Sequence, residues 1–336
     1  MAVLKPVVIT QPTLHDTDDP AIWLNPDDRA QSLIIGTDKD QDGALYVYDL
    51  EGRIIEEKTV RNLKRPNNVD VEYGLMLSGE PVDIAVTTER YTSRIRVFSL
   101  PEMKQVDNGG IEVFVGDSLR APMGIALYRR PTDGAIFAIV GRKEGPSGSY
   151  LWQYLLEDDG TGNVKGTVVR KFGEYSEIKE IEAIAVDDSL GYIYYCDETI
   201  GVRKYEADPD AADANVQLAL FGTDMFSDDN EGISIYMIDD GTGYILVSDQ
   251  GANKFRIFPR EGEAGNPHSH PLLKVINVST TESDGSDVTN AVLNDKFSKG
   301  LFVAMSDNRT FHYYRWEDIA GGDLIIAPNG KRSTGE

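Results

Sequence analysis

Cysteine is all but missing from this chain. Its one copy in 336 residues, Cys196, rules out an intramolecular disulfide. Cys196 follows the apolar run Tyr192–Tyr195, which marks it as a small core residue. Histidine is scarce as well: His15, His268, His270 and His312 are all there are, and their spacing suggests no histidine nucleophile. No apolar run approaches the roughly 18 residues of a membrane span. Met1-Ala2-Val3-Leu4, interrupted by Pro6, is too short to read as a signal peptide. Positive charge is the minority sign, with 33 Lys and Arg against 56 Asp and Glu, a net charge of −23. That balance argues against unaided nucleic-acid binding, which needs cations to neutralise phosphates. It is compatible with a chain that carries several divalent cations. Long amphipathic helical patterns are also lacking.

What is there is a repeat. Hydrophobic residues make up 40% of the chain, enough for a sizeable core, and they fall in short β-branched and aromatic runs separated by Asp-Gly, Thr-Gly and Asn-rich turns. One aromatic strand with alternating polarity recurs as Gly43–Tyr48, Ser93–Phe98, Ser149–Tyr154, Gly201–Tyr205, Asn253–Phe258 and Arg309–Tyr314. The spacing, roughly 50–56 residues, is that of propeller blades. A more apolar strand precedes each copy: Leu33–Thr37, Val82–Thr88, Ile136–Gly141, Tyr192–Asp197, Tyr244–Asp249 and Leu301–Ser306. Further strands lie upstream, at Gly124–Tyr128, Glu182–Val186 and Gly232–Met237. Six such units predict an all-β, six-bladed β-propeller closed around a central channel. Residues 1–320 form its single domain, Pro6–Thr10 is placed to close the ring on the last blade, and 321–336 read as a loose tail.

The acidic residues then acquire an address. Asp16, Asp18 and Asp19 crowd the start of the first blade, ahead of Pro20-Ala21-Ile22-Trp23. Asn67-Asn68-Val69-Asp70, Glu180-Ile181-Glu182 and Asp228-Asp229-Asn230-Glu231-Gly232 open later blades. Ring closure brings such loops to a shared mouth, where hard oxygen ligands suit calcium. Basic residues recur at a second position, after the apolar strand: Lys39, Arg90 and Lys143 in three consecutive blades. Asp197-Glu198 takes that place in the fourth.

These residues resemble the β-propeller phytases, a family of calcium-dependent alkaline phytases. The match rests on Asp18-Asp19-Pro20-Ala21-Ile22-Trp23 and Asn67-Asn68-Val69-Asp70, which look like the two signature motifs of that family. It continues through Lys39, Arg90, Lys143-Glu144-Gly145, Ile181-Glu182-Ala183, Asp197-Glu198, Asp229-Asn230-Glu231-Gly232 and, more loosely, Asp284-Gly285-Ser286-Asp287. The resemblance implies a 3-phytase-type phosphatase. It would hydrolyse phosphomonoesters of myo-inositol hexakisphosphate (phytate), with several calcium ions holding phosphates and activating a water, and with a second phosphate held in a neighbouring affinity site. Carried over by residue, Lys39, Arg90 and Lys143 are the catalytic and substrate-binding cations. Asp18, Asp19, Glu182, Glu198, Asp229, Glu231 and Asp287 are the calcium ligands, Glu182 also counting as catalytic. A secreted or periplasmic location, a monomer, and no nucleic-acid or membrane partner are implied too. Because calcium acidifies water less than zinc does, a neutral or alkaline optimum is expected.

Two positions depart from the family pattern. Glu72 stands where the family often has Arg, and Met123 where it often has a phosphate-contacting Tyr. Two other readings stay open at this point. A calcium-dependent propeller lactonase needs one metal and a general base, and has no use for three cations at the mouth. A non-catalytic propeller would bind a partner on its acidic face, with calcium in a structural role.

Overall fold

The structure is a computed structural model that describes residues 2–328. Its strands group into six sheets, each running outward from the channel. Blade 1 holds Thr17–Trp23, Leu33–Asp38, Gly43–Tyr48 and Val60–Leu63. Blade 2 holds Pro66–Leu77, Glu80–Glu89 and Arg94–Ser99, with short outer strands at Lys104–Gln105 and Ile111–Glu112. Blade 3 holds Pro122–Arg129, Ile136–Arg142, Leu151–Asp158 and Val164–Phe172. Blade 4 holds Ile184–Asp187, Tyr192–Asp197, Gly201–Glu206 and Ala219–Phe221. Blade 5 holds Ile233–Met237, Gly243–Asp249, Lys254–Pro259 and Lys274–Val278. Blade 6 holds Ser286–Thr289, Leu301–Ser306 and Thr310–Arg315. The innermost strands touch in cyclic order, the sixth against the first. This is the six-bladed propeller that the repeat predicts, and each apolar strand lies within two residues of its expected bounds.

The alternation of each strand explains the packing, since successive side chains point to opposite faces. In Gly43–Tyr48, Ala44, Tyr46 and Tyr48 pack toward blade 6, against Phe311 and Tyr313. Leu45 and Val47 pack toward blade 2, against Ala85 and Phe98. Cys196 and Tyr194 likewise face blade 5, while Ile193 and Tyr195 face blade 3. There are therefore six cores, each between two neighbouring blades and none within a single sheet.

Three aspartates tie innermost strands across these gaps. Asp19 accepts from the Val69 amide (3.1 Å), Asp70 from Leu127 (2.7 Å) and Asp287 from Ile22 (2.7 Å). Asp70 and Asp287 each also accept from the amide of the next residue, Val71 and Val288, at 2.7 Å. Each carboxylate thus spends oxygens on joining one blade to the next.

The ring closes with the chain's beginning. Val8–Ile9 pairs antiparallel with Tyr313 and His312, as expected of Pro6–Thr10. Val3–Leu4 pairs in parallel with Asn277 and Val278 of blade 5, which the sequence reading does not foresee. The stretch that reads as a loose tail in the sequence starts out docked. Ala327 is buried, its amide donates to Tyr236 (3.0 Å), and Ile325 donates to Tyr244 (2.9 Å). The remainder, 329–336, lies outside the described residues. The one α-helix among the described residues, Trp316–Ala320, is five residues long, and no described helix is long and apolar enough to cross a membrane.

Candidate active site

The second strand of every blade ends at the same rim, and the residue after it recurs in register: Lys39, Arg90, Lys143, Glu198, Gln250 and Asp307. Each of these donates its backbone amide to a residue just ahead of its own blade's innermost strand: Asp16, Arg65, Ala121, Glu180, Asp229 and Thr281, at 2.6–3.2 Å. That ladder puts six side chains around one mouth. Two glycines let the loops close in. A Cβ at Gly285 would strike Asp19, and one at Gly124 would strike the Glu182 carbonyl.

The polar contacts around the mouth form a closed circuit. Lys39 pairs with Asp18 and, at 3.5 Å, with Asp284. Asn67 Nδ2 donates to both Asp18 and Glu182 at 3.0 Å. Glu180, Glu182 and Glu198 bring carboxylate oxygens within 4.8 Å of one another, as do Glu198, Asp229 and Glu231. Gln250 Nε2 donates to Glu231 (2.8 Å) and to Asp284 (2.5 Å), which returns the circuit to Lys39. Lys143 pairs with Glu180. Lys179 pairs with Asp229 and lies 3.4 Å from Asp228. The Glu198 side chain is 2% exposed, and its Oε1 has no hydrogen-bond partner.

Crowding of like charges out of water shows in the acidities. Burial, then the charge of Asp18, raises Glu182 to about 8. Burial, then Glu180 and Glu182, raises Glu198 to about 9. Burial, then Glu182, raises Glu231 to about 8. Asp284 is pushed well up by burial and by Asp18. Burial opposes the charge on Lys39, but Asp18, Glu182 and Asp284 outweigh it and hold the ammonium more firmly protonated. This is the pattern that accumulates at functional sites.

A family model of phytases matches residues 8–320. The chain belongs to the phytase family. It is 29% identical over 319 residues to the 3-phytase of Bacillus subtilis (strain 168), an alignment spanning 90% of this chain and 80% of that protein.

In this phytase the structure brings Lys39, Arg90, Lys143, Asp18, Glu182, Glu198, Asp229 and Glu231 to one mouth. It does not bring Asp287 there. Asp287 stands lower in the channel, where the Ile22 and Val288 amides take up its oxygens. Asp284, three residues earlier, occupies the mouth instead. Asp19 is also lower: its carboxylate is committed to Val69, and it lines the channel with Asp70 and Asp287. Lys39 pairs with two carboxylates that are both largely buried.

Sequence reasoning passed over Asn67, Glu180, Gln250 and Lys179. Asn67 and Glu180 stand inside motifs already noted. Gln250 holds the fifth place in the register that marks Lys39, Arg90, Lys143 and Glu198, so extending that register by one blade would have found it. Lys179 carries no such signal. Of the two departures, Glu72 is buried away from this circuit and its charge acts on Asp188. Met123 is buried, and its carbonyl accepts from Thr88 at 2.5 Å.

The acidic wall offers carboxylate oxygens, with the carboxamides of Asn67 and Gln250 beside them and two buried oxygens, Glu198 Oε1 and Asn67 Oδ1, unpartnered. All-oxygen donor sets of high negative charge suit hard divalent cations, so these residues fit the metal that the acidic clusters imply.

Proposed function

We propose that this phytase-family hydrolase releases phosphate from myo-inositol hexakisphosphate with calcium ions held on the acidic wall of the mouth. The observation that carries the reading is the division of the circuit. Blades 1–3 present Lys39, Arg90 and Lys143, while blades 4 and 5 present carboxylates that repel one another and share a buried, unpartnered oxygen. A highly anionic substrate is repelled by a chain of net charge −23 unless cations neutralise the wall it approaches.

Glu180, Glu182, Glu198, Asp229 and Glu231 would hold the ions, with Asp284 beside them. Bound calcium supplies positive charge for phosphate oxygens and for the attacking water. The chain's own residues do the rest. Arg90 has no ion pair among the described residues and a buried, unpartnered Nε, so its guanidinium is free to grip non-bridging phosphate oxygens. Lys143, 45% exposed, reaches the same space from blade 3. Lys39 sits deeper and fixes Asp18 and Asp284. Asn67 links Asp18 to Glu182 and keeps the acidic wall in register with the basic one. In the reaction, a water oxygen bonds to phosphorus, the ester P–O bond breaks, and the departing inositol oxygen takes up a proton. Carboxylates that must shed protons to bind metal favour neutral or alkaline pH, and an exported location, where calcium is plentiful, suits such a site.

The test is phosphate release from phytate by the intact chain with calcium and with EGTA. Release with calcium and none with EGTA is expected. Equal release in both removes calcium from the reading. No release in either, from protein that melts cooperatively, overturns the hydrolase assignment.

A further inference from the structure

Lys143 is held by its backbone as well as by its charge. Its amide donates to the Ala121 carbonyl (2.8 Å), and its carbonyl accepts from the Tyr150 hydroxyl (3.0 Å). Arg142, fully buried beside it, anchors the same strand end to Asp117 (2.9 Å) and to the carbonyls of Leu119 (3.0 Å) and Ser149 (2.9 Å). Tyr150 stands one residue ahead of Leu151–Asp158, the third strand of blade 3. Its side chain packs toward blade 4, among Ile181, Ile184 and Tyr195. The Ile181 amide donates to the same Tyr150 oxygen at 3.4 Å. Ile181 separates Glu180 from Glu182, two residues of the acidic wall. One phenol oxygen therefore gives its proton to the basic wall and accepts one from the acidic wall.

The Tyr150 ring meets that of Tyr175 with centroids 4.6 Å apart, and the Tyr175 hydroxyl donates to the Lys179 carbonyl. The aromatic pair thus touches the 179–181 stretch at two points. Tyr150 is 0% exposed, so it reaches no substrate. Burial, opposed by the Ile181 bond and reinforced by Tyr175, Glu180 and Glu198, pushes its hydroxyl well above the usual phenol range, so it stays a donor. The ion pair of Lys143 with Glu180 spans the same gap. Glu180 also belongs to the acidic cluster, so a divalent cation there competes with the Lys143 ammonium for the same oxygens. When the cation takes them, the ammonium, on a side chain 45% exposed, is released toward substrate, and its backbone bonds keep it at the wall.

We propose that Tyr150 is a positioning residue: its hydroxyl holds the Lys143 backbone against the 180–182 loop when metal displaces the Lys143–Glu180 pair, which keeps the freed ammonium within reach of a phosphate at the acidic wall. This rests on the function proposed above. The hydroxyl touches neither the metal nor the bond that breaks. It acts through Lys143 and through the spacing of Glu180 and Glu182. Without it, the Lys143 carbonyl and the Ile181 amide lose their common partner, and the cation and the carboxylates shift independently.

The experiment compares wild type, Tyr150→Phe, Lys143→Ala and the double variant. It measures kcat and KM for phytate in saturating calcium, with phytate Kd, calcium Kd and thermal melts alongside. Tyr150→Phe keeps the ring and removes only the oxygen. It lowers kcat about tenfold and raises calcium Kd about tenfold, the lower end for a residue that orients ligands without joining them. On the Lys143→Ala background the same change costs less than about threefold in kcat, because the lysine it positions is gone. A role confined to the fold lowers the melting temperature and carries the same factor on both backgrounds. A kcat and a calcium Kd both within about twofold of wild type, or an equal kcat factor on both backgrounds, overturns the positioning role. A Tyr150→Phe chain that fails to melt cooperatively in calcium overturns it too, since the hydroxyl then serves the blade itself. If wild type binds phytate without cleaving it, the hydrolase reading falls and the same cycle is judged on phytate Kd. If wild type does not bind phytate at all, both fall.

Discussion

Replacing Glu198 with Gln separates metal binding from folding at one buried position. The amide keeps the shape of the side chain and removes its charge. Like charges 4.8 Å apart repel by about 3.5 kcal/mol at an effective dielectric of about 20, and Glu198 faces several. Burial and those neighbours raise its pKa to about 9, so without metal at pH 7 the native side chain already holds a proton. In the unfolded chain the same carboxyl, with an ordinary value of about 4.3, is ionised at that pH, so holding the proton in the fold costs stability that the amide does not lose, and in EGTA at pH 7 the Gln variant should be the more stable protein by roughly 3 kcal/mol. With calcium the carboxylate is ionised and serves as a ligand. Its removal should weaken binding at least tenfold, about 1.4 kcal/mol per decade. The sign at high pH follows from the raised value. Stability linked to the protonated native form is complete below the unfolded value and is lost as pH rises from there to about 9, so in EGTA the lead of the amide variant grows between pH 7 and pH 10. Thermal melts of both proteins in EGTA and in excess calcium, at pH 7 and at pH 10, provide the assay. A melting gap of equal size with calcium and with EGTA would refute the reasoning, because Glu198 would then serve the fold and not the ion.

Lys143→Ala should lower phosphate release by about two to three orders of magnitude, the scale of one lost transition-state donor, with an unchanged melt; full turnover in this variant removes Lys143 from the site. Asp287→Ala should strand the Ile22 and Val288 amides, at about 1–3 kcal/mol for each buried donor, and lower the melting temperature equally with calcium and with EGTA; a loss seen only with calcium would return Asp287 to the metal. His270 and His312 should make the fold acid-sensitive. Burial, opposed by the Pro259 bond and reinforced by Lys204, pushes His270 down to about 4, and burial does the same for His312. Their stability is complete above the unfolded value of about 6.5 and is lost as pH falls toward 4, by up to about 3 kcal/mol each. In EGTA, His270→Gln with His312→Phe should flatten the fall of melting temperature across that window, and parallel slopes would count against the account.

The propeller was legible because its periodicity repeats six times. Gly43–Tyr48 alone is any half-buried strand; its recurrence at blade spacing is what distinguishes a ring from a sandwich. The basic and acidic residues of the mouth were legible for the same reason, since strand ends in a ring share one rim. The register stopped short where chemistry changes without changing place, as with Gln250. Asp284 and Asp287 could not be told apart from their order along the chain. Both lie in one acidic turn, and only the amides of Ile22 and Val288 show which of them serves the neighbouring blade. The Lys179 contact depends on a loop from blade 4 reaching the one that opens blade 5, which no local pattern announces.

The two short strands at the chain's beginning have a consequence for the order of events in synthesis. Val3–Leu4 and Val8–Ile9 are made before every blade, yet their partners at 274–278 and 310–315 are made only with blades 5 and 6. A nascent chain can build blades 1 to 4 from local hairpins as it emerges, but these two strands have nothing to pair with until the last two blades arrive. Until then they travel as an unpaired β-segment with Val3, Val7 and Ile9 uncovered, surfaces that stay exposed even in the finished ring. Contacts of such long sequence separation are slow to form, so ring closure is the step at which a chaperone gains most and a truncated chain fails.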